Sequence, residues 1–297
     1  DKAFEGYVGA DNRGSDFNGP YNFSGGLTAN SLLGSYDRTG FQGVITSQTE
    51  ELLFTNMFYD FPINQEGARL FFSGSISKSE PGSSLKKFDI NGDSSSITLR
   101  LTHPFVRSRG KNLTGHVGFT SRNSTTKILG SLDSKDQLRV MDLGVSYDYA
   151  DEYRGVNLIQ FNLSHGLNIF GATESGSSNL SRALGKSDFT KLTGNLMRLQ
   201  NLAPSWSLLA ATSWQYSFDK LLASEEFGIG GSQYGRAYDS SEITGDHGIA
   251  FKVELQKAFR PEWKYLSDLQ LYSFIDYGAV WNKVKTSTGA RQQGRSS

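Results

Sequence analysis

The 297-residue sequence contains 33 glycines, 37% hydrophobic and 12% aromatic residues, and its glycine content is well above the roughly 7% of an average protein. Its 30 Lys and Arg residues balance 30 Asp and Glu residues, which removes any bulk electrostatic case for nucleic acid. With no cysteine, and with His103, His116, His165 and His247 scattered without ligand spacing, disulfides and thiolate chemistry are excluded, and neither a metal site nor a cofactor is expected.

No stretch approaches the 18 or so consecutive apolar residues of a transmembrane helix, and nothing near Asp1 resembles a signal peptide. The other way to span a bilayer is a closed β-barrel, whose strands alternate apolar and polar residues and so keep mean hydropathy low. That alternation recurs along the chain. It predicts thirteen strands at 4–12, 22–31, 39–48, 52–61, 68–78, 94–104, 112–122, 138–150, 156–166, 189–201, 206–217, 247–258 and 267–281. Within the seventh, Leu113, Gly115, Val117 and Phe119 alternate with Thr114, His116, Gly118 and Thr120. In the eleventh, Trp206, Leu208, Ala210, Trp214 and Tyr216 fall opposite Ser213 and Gln215. In the twelfth, Ile249, Phe251, Val253 and Leu255 alternate with Lys252 and Glu254, and in the last Asp276 shares the face of Tyr272 and Phe274.

Brief connections alternate with long polar ones at 79–93, 123–137, 167–188 and 218–246, the asymmetry of an outer-membrane barrel. Phe58, Tyr59, Phe61, Trp206, Tyr216 and Trp281 are candidates for aromatic girdles at the two interfaces. A soluble β-sandwich also alternates, but strands of about ten residues suit a tilted membrane strand better than the usual soluble length of about 5–6. Because an unpaired edge in lipid is costly, thirteen strands point to a wall that continues. The segment 283–297 reads as the start of another long loop, and both ends look cut.

No phosphate-binding βαβ unit surrounds the glycines at 228–235, and no nucleophile, base and orienting group can be assembled, so no catalytic residues and no enzyme are expected. Glu225 and Glu226 are adjacent, which points them to different sides. Lys252 and Glu254 are candidate charges of a wet lumen.

One segment is more specific. Phe227-Gly-Ile-Gly-Gly-Ser-Gln-Tyr-Gly-Arg-Ala-Tyr238, with Gly230, Gly231, Arg236 and Tyr238, precedes Gly245-Asp246-His247-Gly248 and Glu254-Leu255. It resembles the hallmark of two-partner secretion transporters, a GG-x-x-x-V-R-G-Y loop followed by G-D-x-G and a strand bearing E-L. Here Gly235 stands for the valine and Ala237 for the second glycine. Asp11-Asn12-x-Gly14, Tyr59-x-x-Pro62, Pro104-x-x-Arg107-Ser-Arg109-x-x-Asn112-Leu113, Ser164-x-Gly166-Leu167, the Phe189-Thr-Lys191 strand start and Phe274-x-Asp276-x-Gly278 follow the family's order. The resemblance implies an all-β, antiparallel transmembrane barrel of sixteen strands in the bacterial outer membrane, with 1–297 one barrel domain ending after the thirteenth strand. It also implies that the plug helix and periplasmic POTRA domains lie outside this stretch, and that loop 218–246 folds into the lumen, where Arg236 locks onto Asp276. The barrel would be monomeric in the lipid bilayer, with a secreted exoprotein as its partner. A POTRA-linked barrel that assembles other outer-membrane proteins, and a passive porin, remain the alternatives.

Overall fold

The computed structural model describes residues 3–34, 36–261, 263 and 266–283, and the backbone of 293–296. All thirteen expected strands are present. They are β1 (Phe4–Asp11), β2 (Asn22–Asn30), β3 (Arg38–Thr46), β4 (Leu53–Pro62), β5 (Arg69–Ser79), β6 (Ile90–Arg107), β7 (Lys111–Ile128), β8 (Ser131–Ala150), β9 (Gly155–Gly166), β10 (Thr190–Ala203), β11 (Trp206–Ser217), β14 (His247–Phe259) and β15 (Leu269–Trp281). Two three-residue strands, β12 (Phe227–Ile229) and β13 (Ile243–Gly245), pair within the long loop, and a short β16 (Gln293–Ser296) follows. All but β12 and β13 form one sheet of 14 strands in chain order, each antiparallel to its neighbours. Among the described residues β1 and β16 are its two edges, and no helix is long and apolar enough to cross a membrane.

Three expectations are corrected. The segment 123–137 is not a loop: β6, β7 and β8 run for 18, 18 and 20 residues, and a tight turn at Leu129 and Gly130, with φ of 50° and 74°, joins β7 to β8. Residues such as Thr125, paired with Asp93 and Lys135, lack apolar alternation because the backbone ladder alone sustains strands whose two faces are both polar. Segment 79–93 holds a 3-10 turn, Ser83–Phe88, and the first residues of β6. Finally, 283–297 is not all loop, since 293–296 pair with Gly278–Trp281; residues 284–292 lie outside the described residues.

Side chains divide cleanly between two faces. On one, Met57, Ile97, Leu143, Phe251 and Ile275 are exposed, Ile275 by 72%, which in water would be a large apolar surface and in lipid is an ordinary one. Leu208, Trp214 and Tyr216 lie on this face, Trp214 beside Phe161 at 6.1 Å. The other face carries Ser213 and Gln215, and the buried Gln215 donates to Glu225 O at 3.0 Å. Adjacent residues in a strand point oppositely, so Phe58 and Tyr59 cannot both belong to a girdle. Tyr59 sits beside Phe61 on the lipid face, whereas Phe58 shares the inner face with Asn56 and stacks on Phe71 at 5.9 Å.

Apolar burial occurs where loops meet the inner wall. Leu138, Val140, Phe189, Leu221 and Leu222 form one cluster; Ile229, Ala250 and Val280 form another, flanked by Phe227, Tyr234 and Ile243. Loop 218–246 contributes to both, so it is bound into the wall by packing, at about 1.5–3 kcal/mol for each fully buried large side chain.

Candidate functional site: the inward loop and its two anchorages

After β11 the chain turns inward. The β12–β13 hairpin, paired from Phe227↔Gly245 to Ile229↔Ile243, lies against the inner face of β14 and β15. Close approach depends on Gly278: a Cβ there would lie 2.5 Å from Ile229 Cδ1. Past Ile229 the loop reverses tightly. Gly230 and Gly231 have φ of 117° and 93°, a region that disfavours any side chain, and a Cβ on Gly230 would also collide with Asp239 O. Gly231 N donates to Tyr238 O and Gly230 N to Tyr234 O, each at 3.0 Å. The reversal holds Gly235, φ 74°, and Arg236 over the wall.

Arg236 meets Asp276 through both faces of the fork: Nε donates to Oδ2 at 2.9 Å and Nη2 to Oδ1 at 2.7 Å. The backbone N–H groups of Gly235 and Arg236 add two longer bonds to Oδ2, each 3.2 Å. The remaining Nη1 donates to Glu254 Oε1 at 2.8 Å, and the guanidinium lies over the Phe274 ring, 3.6 Å from its centroid. Planar, bidentate and stacked contacts together require arginine rather than lysine. The hydrogen bond with Asp276, followed by the charges of Asp276 and Glu254, raises the guanidinium pKa against the opposing effect of burial.

The structure thus brings together Arg236, Asp276, Phe274, Gly278 and Glu254. Glu254, read from the sequence only as a lumen charge beside Lys252, is a second carboxylate on the arginine. Lys252 stands 3.6 Å from it and faces the Tyr234 ring at 5.7 Å. Tyr238 is exposed at 41% and contributes its backbone to the reversal. Gly245 and Asp246 sit elsewhere, at the root of the loop.

The root is a second anchorage, and most of it is invisible in the sequence. Asp246, fully buried, accepts from Arg182 Nη1 at 2.6 Å, Leu221 N at 2.8 Å and Lys283 N at 2.9 Å. Burial pushes its carboxyl up, but these hydrogen bonds, led by Arg182, outweigh it and leave the pKa below the ordinary value. Glu226 lies 3.1 Å from Arg182 Nη2, and burial, the leading cause, holds its pKa above the ordinary value. Glu225 turns the other way, to Arg122 on β7 and Lys191 on β10, both at 2.8 Å. Arg182 and Arg122 carry no local signal, because each finds its partner through loops far apart in sequence; Lys191 stands in a family signature at the start of β10, which does not reveal its partner. Among the described residues no cluster of His, Asp and Glu has the arrangement of a metal site.

The family model for the haemolysin secretion/activation protein ShlB/FhaC/HecB matches residues 1–295. The chain belongs to this family. Members are outer-membrane transporters, and the described sheet has the corresponding barrel fold. Similar proteins include the heme/hemopexin transporter protein HuxB of Haemophilus influenzae strain 86-028NP, 23% identical over 279 residues that cover 93% of this chain and 49% of that protein. The chain therefore spans about half the length of the curated relatives it matches. Among solved structures, CdiB from Escherichia coli superposes with a TM-score of 0.85 at 19% identity, covering 97% of this chain and 54% of that one. BamA from Haemophilus ducreyi lacking POTRA domains 1–3 gives a TM-score of 0.62 at 13% identity, covering 94% and 57%.

Proposed function

We propose that this chain is the barrel of a two-partner secretion translocator, which passes one large unfolded exoprotein through its lumen to the cell surface. The observation that carries the reading is the inward loop gripped by a non-covalent, fully paired arginine. A passive pore has no use for an obstruction held by contacts that can open and re-form, whereas a translocator needs a lumen that is sealed at rest and yields to its cargo. The family match and the likeness to CdiB support the same reading. The barrel supplies a polar conduit and a gate rather than covalent chemistry, and the folding of the exported chain outside the cell supplies the drive.

The test is a chromosomal deletion of the full-length gene, complemented in trans, with surface and medium assayed for a large exoprotein encoded beside it. Loss of that one protein with an otherwise normal outer-membrane profile is expected. A general loss of outer-membrane proteins would instead identify an assembly factor. Unchanged secretion with reduced uptake of small solutes would identify a porin.

A further inference from the structure

Loop 218–246 is held at two places of different construction. The tip rests on Arg236, on a three-pair hairpin and on a reversal built from glycines with positive φ. The root is continuous with the neighbouring loop 167–189. Lys186 N donates to Lys220 O at 2.8 Å, Ala223 N to Ser181 Oγ at 3.0 Å, and Leu221 and Leu222 are fully buried against Phe189, Leu138 and Val140. One side chain ties these pieces together. Arg182 bonds the Asp246 carboxylate where the loop ends and Leu221 O at 2.7 Å where it begins; it also reaches Asn282 Oδ1 at 2.9 Å, just beyond β15, and lies against Glu226. The Arg182 side chain is only 16% exposed, and its carboxylate partner Asp246 binds Leu221 N and Lys283 N as well, so the pair together joins both ends of the loop to the chain just beyond β15.

We propose that Arg182 is a positioning residue of the translocator. It fuses loop 167–189 and the root of loop 218–246 into one fixed abutment, and transport displaces the tip while the root stays in place. This rests on the translocator reading, since it names which part of the gate moves. Its physical basis is a difference in degree of packing: freeing the root exposes five buried apolar side chains, Phe189 and three leucines among them, and strands two buried carboxylates, whereas freeing the tip exposes the smaller cluster of Ile229, Ala250 and Val280 and leaves Asp276 and Glu254 beside lumen water.

The test uses the full-length transporter in the outer membrane, and this stretch has no cysteine of its own. One disulfide pair, Ser181→Cys with Ala223→Cys, ties the root to loop 167–189; another, Ile229→Cys with Gly278→Cys, ties the tip hairpin to the wall. Oxidation of the root pair is expected to leave secretion at about the reduced level, and oxidation of the tip pair to abolish it until reductant is added. Arg182→Ala is expected to lower the oxidation yield of the distant tip pair about threefold or more, a coupling that a local structural role would not produce. Should Arg182→Ala fail to insert, Arg182→Lys is expected to insert and show the same loss of tip yield, because an ammonium cannot serve two carboxylates and two carbonyl oxygens in one plane. A root disulfide that blocks secretion as completely as the tip disulfide, or an unchanged tip yield in the arginine variants, would overturn the proposal. If the oxidation yields behave as expected while no exoprotein depends on the transporter, the positioning role stands and the secretion reading falls.

Discussion

Two arcs of the inner wall do opposite things with polar side chains. On β14 and β15, Lys252, Glu254 and Asp276 are drawn into a network around Arg236, and a loop is fastened there. On β5 to β7, a patch of the inner face presents small hydroxyls that satisfy one another, Ser75 and Ser96 lying 3.1 Å apart, as do Thr98 and Thr120, between charges that are already paired: Arg122 with Glu225, and Arg100 and His116 with Asp142. Charges gathered around Arg236 create a place to hold something. Self-paired hydroxyls make a surface with little to offer a passing chain. A gated conduit needs both, and the grip falls at discrete points, Arg236 at the tip and Glu225 on Arg122 and Lys191 near the root, rather than over the whole lumen.

The largest effects should come from breaking the grip. Arg236→Ala leaves Asp276 and Glu254 facing one another with side chains 6% and 9% exposed; a fully buried pair loses about 3–5 kcal/mol on such truncation, and an open lumen brings this toward the lower end. Asp276→Ala should follow, since four donors lose their acceptor. Glu254→Gln should cost least, because Asp276 still holds the fork and the ion pair lost by Lys252 is a long one, 3.6 Å. Protease accessibility of residues 232–240 in membranes, and secretion, should follow this order; a Glu254→Gln defect exceeding that of Asp276→Ala would show that the second carboxylate is the principal anchor.

Turning the wall inside out comes next. Arginine at Leu208, on the lipid face, should cost roughly 2–4 kcal/mol if near the midplane, whereas arginine at Ser213 should cost little. Equal loss of folded barrel on unheated gels would shift the β11 register by one residue. Gly278→Ala is expected to be smaller, about 1–3 kcal/mol of overpacking against Ile229, and should loosen the hairpin without lowering barrel yield. A barrel defect with an undisturbed hairpin would mean that Gly278 serves the strand alone.

Much of this wall, and part of the site, was legible in the sequence. Thirteen strands and their faces were legible because lipid on one side and water on the other impose a period of two. The polar arms of β6, β7 and β8 were not, since a strand with two wet faces carries no such period. Arg236 and Asp276 were legible through a glycine-rich motif and a placed strand face. Glu254 was seen as a charge but not as a partner, and Arg182, in a polar loop 64 residues from Asp246, had no pattern to betray it. Phe58 was misplaced because aromatics near strand ends were grouped by position without regard to parity.

Acid should reach the root in a characteristic way. Asp246, with its pKa lowered from 3.8, contributes stability that is whole above about pH 3.8 and is lost as pH falls through its folded value. Glu226, with its pKa raised from 4.5, runs the other way and favours the folded root as pH falls through its own folded value. The temperature at which the barrel is lost on unheated gels should therefore rise slightly on mild acidification and drop in stronger acid. A monotonic fall from neutral pH would assign control to other groups.

The smallest effect is expected on the hydroxyl arc, and its smallness is the point. Ser75→Ala removes one member of a partly buried pair and leaves Ser96 able to turn its hydroxyl toward lumen water. The usual net value of a hydrogen bond, about 0.5–1.5 kcal/mol, is then an upper bound, and the Ser75→Ala, Ser96→Ala double variant should be no worse than the sum of the singles, because neither leaves an orphan. Secretion should be unchanged in all three. The informative substitution is Ser96→Arg, which keeps the wall folded but sets a second, unpaired cation across the strand pair from Arg122; secretion should fall while heat-modifiable barrel persists. If Ser96→Arg secretes normally and Ser75→Ala does not, the hydroxyls are themselves contacts for the exported chain, and the two arcs share the work that the comparison divides between them.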